Sequence, residues 1–493
     1  MNGPGPLTVV GPLTIVGLGP AGLDRVGAPA REALFEPGAA VIVRTARHPG
    51  SAELAARRSV TVCDDLYDVS ASFDEVYEAI ARRVIETAES GSVVYAVPGS
   101  ALVGERTVRT LREWAAAQNV AVVLHPGESF LDLACAAVDV DPIGDGLQVV
   151  DARSLPDPLP LHLPTMVTQV DTPLVAADVA VTLGRVLADD HPVTVLDSLG
   201  APDGSATEVS IAALASAAVG PRTTVYVAPA AVGWHGLVAT NRKLRAECPW
   251  DRKQTHHTLL SHLIEEAYET VDAVGLLPAD APAGSPDYGA YAVVEEELGD
   301  LLLQVVFHAT LAAEAGAFDV DEVAEGIRRK LVRRHPHVFG EVAVDGAADV
   351  LANWEDLKNA EKGRSSLMDD VPAGLPGTAR ADKIQRRAAA VGFDWQEAGP
   401  VYAKVEEELA ELRAAPDRER RTDELGDVLF AVINLARHLE VDPEIALARA
   451  SDTFARRFRM VEDLAAGHEL RALTLSELND LWDEAKRTDA AAG

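Results

Sequence analysis

Two sets of carboxylates recur at matching spacing in the C-terminal half of the chain. The first is Glu265, Glu266 and Glu269 in LIEEAYETV (263–271), followed by Glu297 and Asp300 in EELGDLLLQVVFHA (296–309). The second is Glu407, Glu408 and Glu411 in VEEELAELR (405–413), followed by Glu424 and Asp427 in DELGDVLFAVINLA (423–436). Each reads EExxE and then ExxD. Residues three or four apart share a helix face, so Glu266/Glu269 and Glu297/Asp300 form two pairs, as do Glu408/Glu411 and Glu424/Asp427. A second helix returning antiparallel brings the pairs together. Four converging carboxylates repel one another unless a cation neutralises them or protons are bound. Oxygen ligands without His or Cys select Mg²⁺, with Mn²⁺ as the alternative, over Zn²⁺. A lone EExxE is more often a solvated helix face. Here Asp300 and Asp427 each lead into an apolar stretch expected to be buried, where an unpaired aspartate is costly. Meeting that conflict twice favours a metal cluster. Glu265 and Glu407, beside the ligand glutamates, either orient and deprotonate a water or support the metal shell.

Such a cluster suits phosphoryl chemistry, which needs neutralised charge and an oriented water more than a covalent nucleophile. Phosphate oxygens beyond the metal call for Lys or Arg. Lys330, Arg333 and Arg334 serve the first copy; Arg456 and Arg457 serve the second, where Thr453 replaces the lysine. Lys383 and Arg386 are further candidates. A repeated WxxxK, Trp354 with Lys358 and Trp482 with Lys486, sets a ring and an ammonium one turn apart. The ring stacks a base or anchors a core.

The elements that position these residues are helices. From about 256 onward apolar residues recur at helical spacing, broken by GLLPADAPAGSPDYG (275–289) and DVPAGLPG (370–377). The first half reads differently. TIVGLG (14–19), AAVIVR (39–44), SVVYAVPG (92–99), VAVVLHPG (120–127) and VTVLDS (193–198) are short β-rich runs, with helical stretches such as residues 73–90 between them. That alternation predicts an α/β sandwich with ligands at the strand ends. The Pro-rich segment 154–164 predicts a stiff connector between two lobes. Gly17, Gly19 and Gly22 fit GxGxxG directly after a strand.

The 493 residues carry 44 Lys+Arg against 77 Asp+Glu, a net charge of −33. That balance disfavours nucleic acid and anionic membranes as partners. Three cysteines are too few for a disulfide framework, and no signal peptide or apolar span stands out, so a cytoplasmic location is expected. Lysine first occurs at Lys243, which marks a domain boundary near 240.

VGLGPAGLD (16–24), YAVPGSALVGERTV (95–108) and GESFLDLACAAVDVDP (127–142) together resemble the tetrapyrrole-methylase family over residues 10–230. The resemblance implies two α/β lobes and an S-adenosylmethionine site at Gly17, Gly19, Pro98 and Gly99. The carboxylate sets, with CPWDRKQTH (248–256), KLVRRHPHVFG (330–340) and KIQRRAAAVGFDW (383–395), resemble the MazG family of nucleoside triphosphate pyrophosphohydrolases over residues 241–490. The implied organisation is multidomain: a two-lobed α/β domain, then two all-α repeats at 241–365 and 375–490. The implied activity is Mg²⁺-dependent conversion of NTP to NMP and pyrophosphate, as nucleotide-pool housekeeping, in a homodimer. The alternatives are an S-adenosylmethionine-dependent methyltransferase with a regulatory nucleotide-binding helical module, and a nucleotide sensor without turnover.

Overall fold

β-Branched runs that end in glycine or a polar turn become parallel strands. The computed structural model describes residues 12–70, 72–117, 120–340, 346, 366–369, 371–465 and 467–492. The first sheet contains β1 (Leu13–Gly17), β2 (Ala40–Val43), β3 (Thr61–Val62), β4 (Val93–Val97) and β5 (Val122–His125), in the order β3-β2-β4-β1-β5. β1 and β4 are buried at every position, as expected for continuous apolar strands covered on both faces. Their parallel register pairs Gly17 with Val97. Both strands therefore release their glycine turns at the same edge of the sheet. Helix Phe73–Ala88 covers one face; Ser72 caps its start by accepting the Glu75 amide, and Val76, Ile80, Val84 and Ile85 form its buried stripe.

The second sheet is mixed: β6 (Gln148–Asp151), β7 (Thr165–Thr168), β8 (Pro192–Asp197), β9 (Ser205–Ser210) and β10 (Thr223–Val227), in the order β6-β7-β10-β8-β9. β6 and β7 are parallel, while β10 runs antiparallel to both β7 and β8. Its own core gathers Val167, Val179, Leu183, Val195 and Val225. The Pro-rich segment, expected to join two lobes, instead links β6 to β7 inside the second sheet, beyond a short 3-10 turn at Ala152–Ser154; the chain passes from the first sheet to the second earlier, between β5 and β6.

The remainder is helical. Helices Leu260–Gly275 and Tyr288–Glu314 pack side by side, as do Ala398–Ala414 and Arg418–His438. Two units emerge from the packing, one ending at Glu325 and the other beginning at Gly326. The first contains both sheets and the first helix pair, joined through helix Gly233–Glu247. There Asn241, 1% exposed, accepts a hydrogen bond from Thr310 Oγ1 at 2.8 Å, and Arg245 forks onto Glu314 at 2.7 and 2.9 Å. The second unit contains the second helix pair, where Gln385 donates to the Phe430 carbonyl at 2.8 Å and Asp394 accepts from Arg437 at 2.6 Å.

One expectation changes. The apolar stretches after Asp300 and Asp427 are buried on one side only: Val306 and Phe307 are inside, but Leu302 and Val305 are exposed, and Ile433 is inside while Leu429 and Phe430 are exposed. Each helix presses one face on a neighbour, so the two aspartates lie at an open edge and are themselves exposed. No helix among the described residues is long and apolar enough to cross a membrane.

Candidate active site

In both helix pairs the local sequence turns carboxylates toward one another. Glu266, Glu297 and Asp300 each place an oxygen within 4.8 Å of the others, and so do Glu408, Glu424 and Asp427. The two triads occupy equivalent repeat positions, with the EExxE helix supplying one glutamate and the ExxD helix supplying two residues. Their electrostatics differ. In the first, burial and then the charges of Asp300 and Glu269 push the Glu266 carboxyl up, and burial, Glu269 and Asp300 do the same to Glu297. In the second, Lys404 reaches Glu408 at 2.7 Å and Glu407 at 2.9 Å, and Arg420 contacts Glu424. Glu408 and Glu424 are 7% and 4% exposed, so these cations neutralise charge removed from water. The Lys404 ammonium is held well above its usual range by Glu408 and Glu407.

Lys404 and Arg420 were not among the residues singled out from sequence. The signal was present, since each lies four residues before a triad glutamate in KVEEE and RRTDE. The first copy has His262 and Val293 at those positions, and His262 sits 3.7 Å from Glu265. The expected donors Glu269 and Glu411 lie outside the triads; Glu269 is close enough to raise its neighbours, and Glu411 is exposed. Glu265 and Glu407 are exposed beside the triads.

The expected phosphate-binding residues have mixed fates. Lys330, Arg333 and Arg334 lie on helix Val320–Arg334, with Arg334 buried. Arg386 pairs with Asp382 at 2.7 Å, one turn back on helix Gly377–Ala389, which also carries Lys383. Arg456 forks onto Asp489 at 2.8 and 3.0 Å, and Arg457 donates to the same carboxylate through Nε at 2.8 Å. Lys486 is held by Asp483 at 2.6 Å, and the half-buried Trp482 ring packs against the exposed Phe454 with centroids 5.0 Å apart. Trp354 and Lys358 lie outside the described residues.

At the end of the first sheet three backbone segments meet without side chains between them. A Cβ on Gly17 would stand 2.0 Å from the Pro126 carbonyl oxygen and 2.6 Å from that of Gly99. Gly19 and Gly99, both at positive φ, exchange backbone hydrogen bonds at 3.0 and 2.8 Å, with Pro98 just before. The result is a tight backbone junction at the strand ends, which only glycine permits at Gly17, with Gly99 facing open space.

These features define a two-part protein, a methylase-like pair of α/β lobes ahead of helices that converge acidic triads. Residues 12–215 match the family of tetrapyrrole (corrin/porphyrin) methylases, and residues 254–339 match the MazG nucleotide pyrophosphohydrolase domain. Over 98% of its length the chain is 38% identical to YabN of Bacillus subtilis, an uncharacterized protein of which it covers 99%. It is 43% identical to the nucleoside triphosphate pyrophosphohydrolase of Escherichia coli, across 49% of this chain and 91% of that one. A solved uroporphyrin-III C-methyl transferase from Thermus thermophilus, complexed with S-adenyl homocysteine, aligns with 44% of this chain and 97% of its own at 18% identity and a TM-score of 0.35. The chain belongs to the MazG nucleotide pyrophosphohydrolase family, a family of hydrolases, and carries a tetrapyrrole-methylase domain at its N-terminal side. The MazG match takes in the first carboxylate set; the second set rests on the internal repeat.

Proposed function

We propose that the chain is a Mg²⁺-dependent nucleoside triphosphate pyrophosphohydrolase, cleaving NTP to NMP and pyrophosphate in cytoplasmic nucleotide housekeeping. The observation that carries this reading is the recurrence of a three-carboxylate cluster, oxygens within 4.8 Å, in two separate helix pairs. The donor set fits a hard divalent cation: it is all oxygen, it is partly withdrawn from water, and in the first copy burial and the Asp300 charge raise the carboxyls of Glu266 and Glu297. Glu266, Glu297 and Asp300 would hold the ion in the first repeat, and Glu408, Glu424 and Asp427 in the second. A bound ion neutralises the charge that spreads over the phosphate oxygens during transfer.

The chain's own residues do the rest. Glu265 and Glu407, exposed next to each triad, orient the attacking water and accept its proton. Glu269 and Glu411 add negative potential behind the ligands. Lys404 and Arg420 pair with carboxylates that an ion would claim, and so become free to meet phosphate oxygens in the second repeat. The repeats at 241–365 and 375–490 are, on this reading, two versions of one hydrolytic module.

The test is pyrophosphate release from a panel of NTPs with Mg²⁺, comparing the unaltered chain with Asp300→Asn, Asp427→Asn and the double variant. The reading predicts release by the unaltered chain and its loss in the double variant. Loss in one single variant identifies the working repeat. No release from any NTP by the folded chain rejects the hydrolase.

A second reading rests on the Gly17–Gly19–Gly99 junction: S-adenosylmethionine binding and methyl transfer by the α/β domain, with the helices as a regulatory module. The residues leave room for the cofactor at Gly99, where a side chain would enter open space on the cleft beside Pro98, while Gly17 lets the strand ends close up behind it. Equilibrium dialysis with labelled S-adenosylmethionine tests it, and absence of binding rejects it.

A further inference from the structure

Between the two sheets of the α/β domain lies a cleft of about 1730 Å³. Ordinary small-ligand sites occupy roughly 300–1,000 Å³, so the cleft has room for a second molecule beside one at Gly99. Its charge opposes that of the chain. Seven arginines and four carboxylates line it, in a protein of net charge −33.

Four of those arginines are internally satisfied: Arg44 by Glu105, Arg106 by Asp74, Arg153 by Asp171 and Arg222 by Asp203. Arg47, Arg109 and Arg112 are exposed and have no ion-pair partner among the described residues. Arg106, Arg109 and Arg112 stand three residues apart on helix Arg106–Ala117, which gives them one face. All three line the cleft. The contact between Arg106 and Asp74 also fixes Phe73 beside this row. The Phe73 ring is 55% exposed and lines the same cleft, with the Tyr77 ring at a centroid distance of 6.3 Å and the Arg153 guanidinium 5.8 Å from its centroid. An aromatic platform therefore sits at one end of a line of guanidinium groups. Elsewhere on the lining, His48 is 6% exposed, and neither ring nitrogen has a partner at normal hydrogen-bond geometry. Glu105 likewise keeps one buried oxygen unpaired. Buried polar groups left this way call for a ligand to complete them.

We propose that this cleft is a second nucleotide site, separate from the carboxylate triads, which binds a nucleoside polyphosphate with its phosphates on Arg109 and Arg112 and its base on Phe73. Guanidinium forks match phosphate oxygens in pairs, and ring stacking holds a base whatever its identity. The charge on this site comes from arginine, so binding needs no divalent ion. That separates it from the helical triads in a single experiment.

The experiment is isothermal titration of the full chain carrying Asp300→Asn and Asp427→Asn, in EDTA, with the α,β-methylene analogue of ATP, whose bridging carbon blocks cleavage. One saturable site per chain is expected, weakening as salt rises. Arg109→Ala with Arg112→Ala should weaken it at least tenfold. Both side chains are exposed, and thermal melts check that the variant stays folded. Phe73→Ala should weaken the analogue while leaving inorganic triphosphate unchanged. Absence of saturable binding, or binding indifferent to the arginine pair, overturns the proposal. Inorganic triphosphate binding as tightly as the analogue removes the base platform and overturns it too. Benzenehexacarboxylate binding more tightly than the analogue assigns the arginines to a polycarboxylate instead.

Discussion

Acid should weaken the α/β domain through one histidine. His48 caps helix Pro49–Ala55 beneath the glycine turns, almost wholly buried, and its pKa is pushed down to about 4. Burial is the largest cause; a backbone contact with Gly19 opposes it, and the positive charge of Arg222 adds to it. In an unfolded chain the same imidazole titrates near 6.5. Between those values the unfolded state binds a proton that the folded state refuses, so stability falls as pH falls through this window. Linkage makes the loss about 2.5 kcal/mol between pH 7 and pH 4.5, roughly three quarters of the limit of about 3.4 kcal/mol set by the full shift. For a domain of this size that corresponds to roughly 5–10 °C in melting temperature. His48→Leu removes the titration while keeping an apolar filling. Urea unfolding at both pH values, with first-sheet peptides followed by pulse proteolysis and mass spectrometry, isolates the term as the difference between the unaltered chain and the variant. A difference that stays constant from pH 7 to pH 4.5 refutes the reasoning, because it means that His48 is protonated in the fold or solvated there.

The triads give a complementary expectation: Mg²⁺ at ten times its Kd should stabilise the helical parts by about 1.4 kcal/mol, and Asp300→Asn with Asp427→Asn should abolish that rise in scanning calorimetry. Lys404→Ala should cost up to about 1 kcal/mol in EDTA, since Glu408 loses its partner. Mg²⁺ should restore more stability to this variant than to the unaltered chain, and equal gains in paired melts would count against the shared use of Glu408. Gly17→Ala should destabilise the α/β domain by about 3 kcal/mol or more, because the new methyl has nowhere to go between the Pro126 and Gly99 carbonyls. A soluble variant with unchanged urea midpoint would contradict the close approach.

What could be read from sequence was whatever local chemistry controls. Strands ending in GLG or VPG, the helix over 73–90 and the paired ExxD elements all follow from periodicity and turn residues, and the structure has them. The convergence of Glu297 and Asp300 was also legible, because three-residue spacing on a helix is geometry in itself. Long-range partners were not. Nothing near Arg456 or Arg457 announces that Asp489, more than thirty residues on, takes both guanidinium groups. Glu269 and Glu411 share a helical face with the triad glutamates, yet facing alone does not decide which oxygens meet. The arginine-lined cleft was invisible for the same reason: Phe73, Arg109 and Arg153 come from three elements that only the packing of two sheets brings together. The exposed flanks of helices 288–314 and 418–438 show the converse, a uniformly apolar sequence that tertiary packing covers on one side only.

Helix 233–247 has a consequence for how the protein can be divided. It leaves the last strand of the α/β domain and ends as a support for helix 288–314, through buried Asn241 and the Arg245 fork. A scissor cut near 240, where the composition changes, would halve this helix, leaving Val306 and Ala309 without the apolar cover of Leu237 and Val238 and leaving Asn241 and Arg245 on a stub that has lost its first two turns. The methylase-like and hydrolase-like portions are thus spliced through a shared beam. Recombination or subcloning that respects the fold would have to carry that helix, whole, with the second half.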